Sequence, residues 1–212
     1  MAEPLFIAVV PFDPSDGDRW LEYYQWAKIP QLTGVISLDA LLCQRVVREI
    51  RDEDWNHIVN ADFRLHYFHD LAYLLRRTED APRKLVLGVY RNPNSHITLP
   101  PADNFTFVGY DLIEETTQIS ALTNCGGFPD CFSNAELNKH GLIDTFERAQ
   151  DVRQLLVKLH PEEPHFTRYG NWTLNVLRPV IVDSIRIFFL PLFRNHCIYE
   201  LDVRYLLPFW QN

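Results

Sequence analysis

Lys84-Leu85-Val86-Leu87-Gly88-Val89-Tyr90 is the stretch on which the fold turns. Branched and aromatic residues fill it, and Asn92-Pro93-Asn94 closes it, so it reads as a strand buried in a sheet. Two more runs have the same character. Leu5 to Val10 is apolar and stops at Pro11. Phe105-Thr106-Phe107-Val108-Gly109-Tyr110-Asp111-Leu112 follows the Pro100-Pro101 loop. The sheet must be covered by helices, and four segments have helical spacing. Trp20, Tyr23, Tyr24 and Ala27 form a short one that ends before Pro30. Ser37 stands as N-cap to a helix from Leu38 to Arg51, with Leu38, Leu41, Leu42, Val46 and Ile50 on one face. A second main helix runs from Trp55 to Arg77, and a third from Asp144 to Leu159, where His160-Pro161 stops it. Trp172 to Arg178, Val180 to Phe189 and Ile198 to Leu207 read as extended. No repeat and no dividing linker interrupts the chain. The expected architecture is a single α+β domain over 1–212, a mixed or antiparallel sheet with about three packed helices.

Composition narrows the function. The chain has 212 residues, 47% hydrophobic and 23% charged, as a folded globular protein does. Asp and Glu number 28 against 20 Lys and Arg, a net charge of −8, which disfavours a nucleic-acid partner because phosphate contacts need cations. The N-terminus carries Glu3 as its only early charge and lacks the basic segment of a secretory leader. The apolar run Ile187 to Phe193 sits between Arg186 and Arg194 and is too short to span a bilayer. The expectation is a cytoplasmic protein without a membrane partner, its cysteines Cys43, Cys125, Cys131 and Cys197 reduced.

Motifs that carry chemistry are scarce. There is no GxGxxG, no GxxxxGK[ST] and no GxSxG. His66-x-x-His69-Asp70 lacks the spacing and internal Glu of a zincin helix, and Cys125-x5-Cys131 is not a zinc or redox pair. Neither metal nor other cofactor is therefore expected. Cys125, in Asn124-Cys125-Gly126-Gly127, is the one candidate nucleophile, with loop amides as an oxyanion hole and His140 or His165 as base. The bland alternative is a small buried thiol beside two conformationally free glycines.

Charge suggests a second kind of site. Asp13, Asp16 and Asp18 form one acidic group, Asp52, Glu53 and Asp54 another, and Asp111, Glu114 and Glu115 a third. Gathered on one face, two such groups would steer a basic partner toward the protein. Trp20, Tyr23, Tyr24 and Trp26 are too many rings for one helix face to hide, and Tyr and Trp anchor interfaces.

The stretches Gly109-Tyr110-Asp111-Leu112, Ile119 to Phe128, Glu136-Leu137-Asn138, Gly141-Leu142-Ile143 and the helix from Asp144 into His160-Pro161-Glu162-Glu163-Pro164-His165 carry a resemblance. Over its middle third the chain resembles bacterial immunity-type proteins of polymorphic toxin systems, small acidic cytosolic binders. The resemblance implies a protein that occludes a toxin. It brings no catalytic motif and no transferable contact residue, because the toxin-binding surface varies between members. Taken with the charge, it makes a non-enzymatic protein that neutralises a basic toxin the leading expectation. Its contacts are expected among Asp52, Glu53, Asp54, Asp111, Glu114, Glu115, Trp20, Tyr23 and Tyr24. A Cys125 enzyme and a structural homo-oligomer are the alternatives.

Overall fold

Strand β1 (Leu5–Val10) lies inside a sheet that has seven strands among the described residues. The computed structural model describes residues 4–59, 66–91, 105–114, 119–124, 128–160 and 169–177, all within the compact unit Met1–Arg178. The other strands are β2 (Gln44–Arg45), β3 (Ile58–Val59), β4 (Tyr67–Phe68), β5 (Leu85–Arg91), β6 (Phe105–Glu114) and β7 (Tyr169–Leu177). Their order is β3-β4-β1-β5-β7-β6, with β2 also paired to β1, and every pairing is antiparallel. Helices α1 (Asp18–Ala27), α2 (Leu71–Arg77) and α3 (Phe146–Leu159) complete the α+β fold. Among the described residues no helix is long and apolar enough to cross a membrane.

The central strands are apolar on both faces because both faces are covered. Ile7, Val9, Leu87 and Val89 point into one apolar cluster with Leu38, Ile113 and Leu142. Ala8 and Val86, one residue out of phase, face a second cluster with Val47, Phe68 and Leu74 of α2. A third cluster joins Tyr110 and Leu112 of β6 to Trp20 of α1 and to Ala149, Val152 and Leu156 of α3. Caps set the helix starts. Thr145 accepts from the Arg148 N–H at 3.3 Å, and Asp70 accepts from the Tyr73 N–H at 2.9 Å.

One expected helix is absent and another is much shortened. Residues 38–51 form turns around β2. Ser37 Oγ accepts from the Asp39 N–H (2.9 Å), and an Asp39 carboxylate oxygen accepts from the Leu41 N–H (2.8 Å). These local bonds compete with the helical ladder. The apolar residues then part company: Leu38, Leu42 and Val46 join or pack against three different clusters, so their helical spacing never served one face. The expected helix from Trp55 to Arg77 is helical only over α2. Before it the chain forms a 3₁₀ turn (Asp52–Asn56) and the short strands β3 and β4, and Asp70 starts the helix. The expected strands at 180–189 and 198–207 lie outside the described residues.

A bulge in β6 falls between Phe107 and Gly109. Gly109 has φ +143°, and a Cβ there would lie 2.6 Å from Leu142 Cβ, so only glycine lets the 138–143 turn close on the sheet. Asn138 fixes that turn. Its amide donates to Val108 O (2.8 Å) and an Asp144 carboxylate oxygen (2.7 Å), while its side-chain oxygen accepts from the His140 and Leu142 N–H groups.

Candidate functional site

The acidic triplet Asp52-Glu53-Asp54 is split by the 3₁₀ turn it forms. Asp54 points inward and is fully buried. One carboxylate oxygen accepts from the Arg51 N–H (2.7 Å), the other from Tyr73 Oη (2.7 Å) and Arg77 Nε (3.0 Å). Burial alone would raise its pKa. These donors outweigh that and hold it below the usual carboxylate value. Asp52 and Glu53 point outward, and Glu53 lies 3.5 Å from Arg51. Trp55, the next residue but one, is 58% exposed. The result is an indole and two carboxylates on a turn riveted to α2. The neighbouring His57 ring stacks on Tyr73 at 3.8 Å, and its Nδ1 meets an Asp70 carboxylate oxygen at 3.1 Å.

Asp111 is no surface acid either. It is fully buried on β6, where one carboxylate oxygen accepts from Ser120 Oγ (2.7 Å) and the Leu112 N–H (2.9 Å). The other accepts from Ser37 Oγ. Asp39, equally buried, accepts from the Ser120 N–H (2.8 Å) and the Asn124 side-chain amide (2.9 Å). Desolvation pushes Asp111 up to about 6, the serine hydroxyls oppose it, and the Asp39 charge adds to the rise. This network ties the 37–43 and 120–124 loops to the sheet. Sequence reading missed Asp39, Ser37 and Ser120 as its members. Ser37-x-Asp39 beside a glycine-flanked turn was the available signal.

The remaining expected residues divide. Asp13 and Asp16 cap one another's turn and together hold Arg83, at 2.8 and 3.3 Å. Glu114 ends β6, and Glu115 lies outside the described residues. Of the α1 rings, Trp20 is buried against Phe12. Tyr23 and Tyr24 are half-buried, their hydroxyls donating to Thr123 O (2.9 Å) and Pro30 O (3.0 Å). Trp26 is 50% exposed, beside a depression of about 260 Å³ lined by Ile29, Leu122, Thr123 and Asn134. The three acidic groups therefore share no single described face. Asp13 and Asp16 cap and pair, Asp54 and Asp111 lie buried, and Asp18, Asp52 and Glu53 reach solvent, the last two next to the exposed Trp55 ring.

His66 and His69 flank β4 and are not on a helix; His69 Nε2 lies 3.1 Å from Asn56 O. Cys125 lies outside the described residues. Cys43 is buried, with its thiol pushed up to about 12 by desolvation, and donates to Val35 O at 3.1 Å. Comparison of the chain with family models, curated proteins and solved structures finds no match.

Proposed function

We propose that the chain is a binding protein that neutralises a basic toxin by covering the toxin's active site. The observation that carries the reading is Trp55, 58% exposed beside the outward Asp52 and Glu53 on a turn braced by Asp54. A braced indole loses little freedom on binding, and Trp is among the residues that dominate interface energies. Asp52 and Glu53 supply the rim charge that speeds encounter with a cation-rich surface. Net charge −8 fits a basic protein partner better than a nucleic acid, and reduced Cys43 and Cys131 fit the cytoplasm. The two described thiols, Cys43 and Cys131, are buried and pushed up in pKa, which suits neither to a nucleophile's role; Cys125, the expected nucleophile, lies outside the described residues.

The test is co-expression with the protein that the adjacent open reading frame encodes, then co-purification and a binding titration. Binding and protection of cells are expected. Trp55→Ala should weaken the complex about 30-fold or more, the loss of a ~2 kcal/mol hot spot. Reversing Asp52 and Glu53 to Lys should slow association and flatten its salt dependence. Absence of binding and of protection by the wild-type chain refutes the reading. Self-association through Trp55, seen by light scattering, would favour the homo-oligomer instead.

A further inference from the structure

A third group of side chains is independent of the toxin reading. Asp130, Cys131 and His160 come from two separated segments and bring a carboxylate oxygen, a thiol sulfur and an imidazole nitrogen within 4.8 Å of one another. Among the described residues it is the one place where three such donors converge. Both supports are firm. The 128–132 turn is closed by the Cys131 N–H and Phe132 N–H donating to Phe128 O, at 2.8 and 3.0 Å. Arg148 Nη2 donates to Cys131 O at 3.1 Å and pairs through Nε with Glu136 at 2.6 Å, tying the turn to α3. His160 caps that same helix, its N–H donating to Leu156 O, and its ring packs edge-on against Phe128 with centroids 5.1 Å apart.

The geometry points to a zinc-binding site at Asp130, Cys131 and His160. Zinc takes sulfur, nitrogen and oxygen donors tetrahedrally at about 2.0–2.3 Å, which sets the donors about 3.4–3.6 Å apart. His160 Nε2 and Asp130 Oδ2 are now 2.9 Å apart, so that pair must open slightly to admit the ion. Asp130 is exposed and can turn, whereas Cys131 is buried and held. The exposed side at Asp130 gives the ion its entry and leaves the fourth position to water, as three-ligand zinc sites do. Without metal the thiol is protonated, pushed up to about 11 by desolvation and by the neighbouring Asp130. Binding would form a zinc–thiolate bond, displace waters from the ion and release the thiol proton to solvent. Without the ion, the same atoms are an Asp–His pair beside a structural thiol.

The experiment titrates the full chain, stripped with a chelator, with zinc alone, and in parallel with cobalt(II) as a spectroscopic stand-in. Three results are expected: one ion per chain, proton release at neutral pH measured in buffers of different ionisation enthalpy, and a thiolate-to-cobalt charge-transfer band. Cys131→Ala should abolish the band, and Cys43→Ala should keep it. His160→Gln and Asp130→Asn, at less buried positions, should each weaken zinc at least tenfold, which holds the test if Cys131→Ala does not fold. No band with the wild-type chain, a band that survives Cys131→Ala, or zinc affinity unchanged in both His160→Gln and Asp130→Asn overturns the site.

Discussion

Replacing Asp111 by Asn separates a buried charge from the hydrogen bonds that surround it. Asp111 rises from an ordinary 3.8 to about 6 in the folded chain. The unfolded carboxyl loses its proton first, so between these values the folded state holds more protons and stability falls as pH rises. A shift of roughly 2 units corresponds to about 3 kcal/mol, present below pH 4 and lost by pH 7. Asn is nearly isosteric. Its oxygen can still accept from Ser120 Oγ and the Leu112 N–H, and its amide can donate to Ser37 Oγ, whose own proton is then free to turn. The Asp111→Asn chain should therefore gain on the wild type by about 3 kcal/mol between pH 4 and pH 7, or roughly 6–12 °C in Tm for a chain of this size. Urea unfolding of both proteins at several pH values measures it, and the difference between them cancels every titrating group that is not coupled to Asp111. A constant difference across that range refutes the reasoning, as does an Asn variant that loses ground as pH rises.

Asp54→Ala should cost about 3–5 kcal/mol, because it leaves the Arg77 guanidinium and the Tyr73 hydroxyl without their buried acceptor; denaturant unfolding would show it. Asp54 is depressed, so its contribution is present above the ordinary carboxylate value and fades as pH falls, opposite in sign to that of Asp111. Gly109→Ala should destabilise by about 1–3 kcal/mol, since its Cβ would strike Leu142 at a left-handed φ; a stability unchanged to within a few tenths of a kcal/mol would contradict the tight approach. Thiol labelling mapped by mass spectrometry should find Cys43 and Cys131 slow at pH 8 in the folded chain and fast in urea, and rapid native labelling of Cys43 would show that it is not buried.

Much of the sheet was legible because its long strands are apolar runs bounded by turn residues. β1, β5 and β6 fall within two residues of where the sequence puts them, and α3 is equally plain from its stripe and the His160-Pro161 stop. The segment after Ser37 was not legible, because periodicity records which residues are apolar and not which core receives them. The acidic residues misled for a related reason. A sequence gives the sign of Asp54 and Asp111 but not their surroundings, and the groups that surround them lie 9 to 74 residues away along the chain. The exposure of Trp55 follows from the inward turn of Asp54, and so was hidden with it. The convergence of Asp130 and Cys131 with His160 depends on how the 128–132 turn meets the end of α3, which no local spacing encodes.

The position of β7 has a consequence for biosynthesis. It joins β5 to β6, yet it leaves the ribosome last of the three. For the about 60 residues between the end of β6 and the end of β7, roughly 3–12 s of translation, both neighbours have an unsatisfied edge. Val86 to Tyr90 and Phe105 to Tyr110 are then sticky templates with no rightful mate, so a nascent chain stalled in this interval is the form most in need of a chaperone.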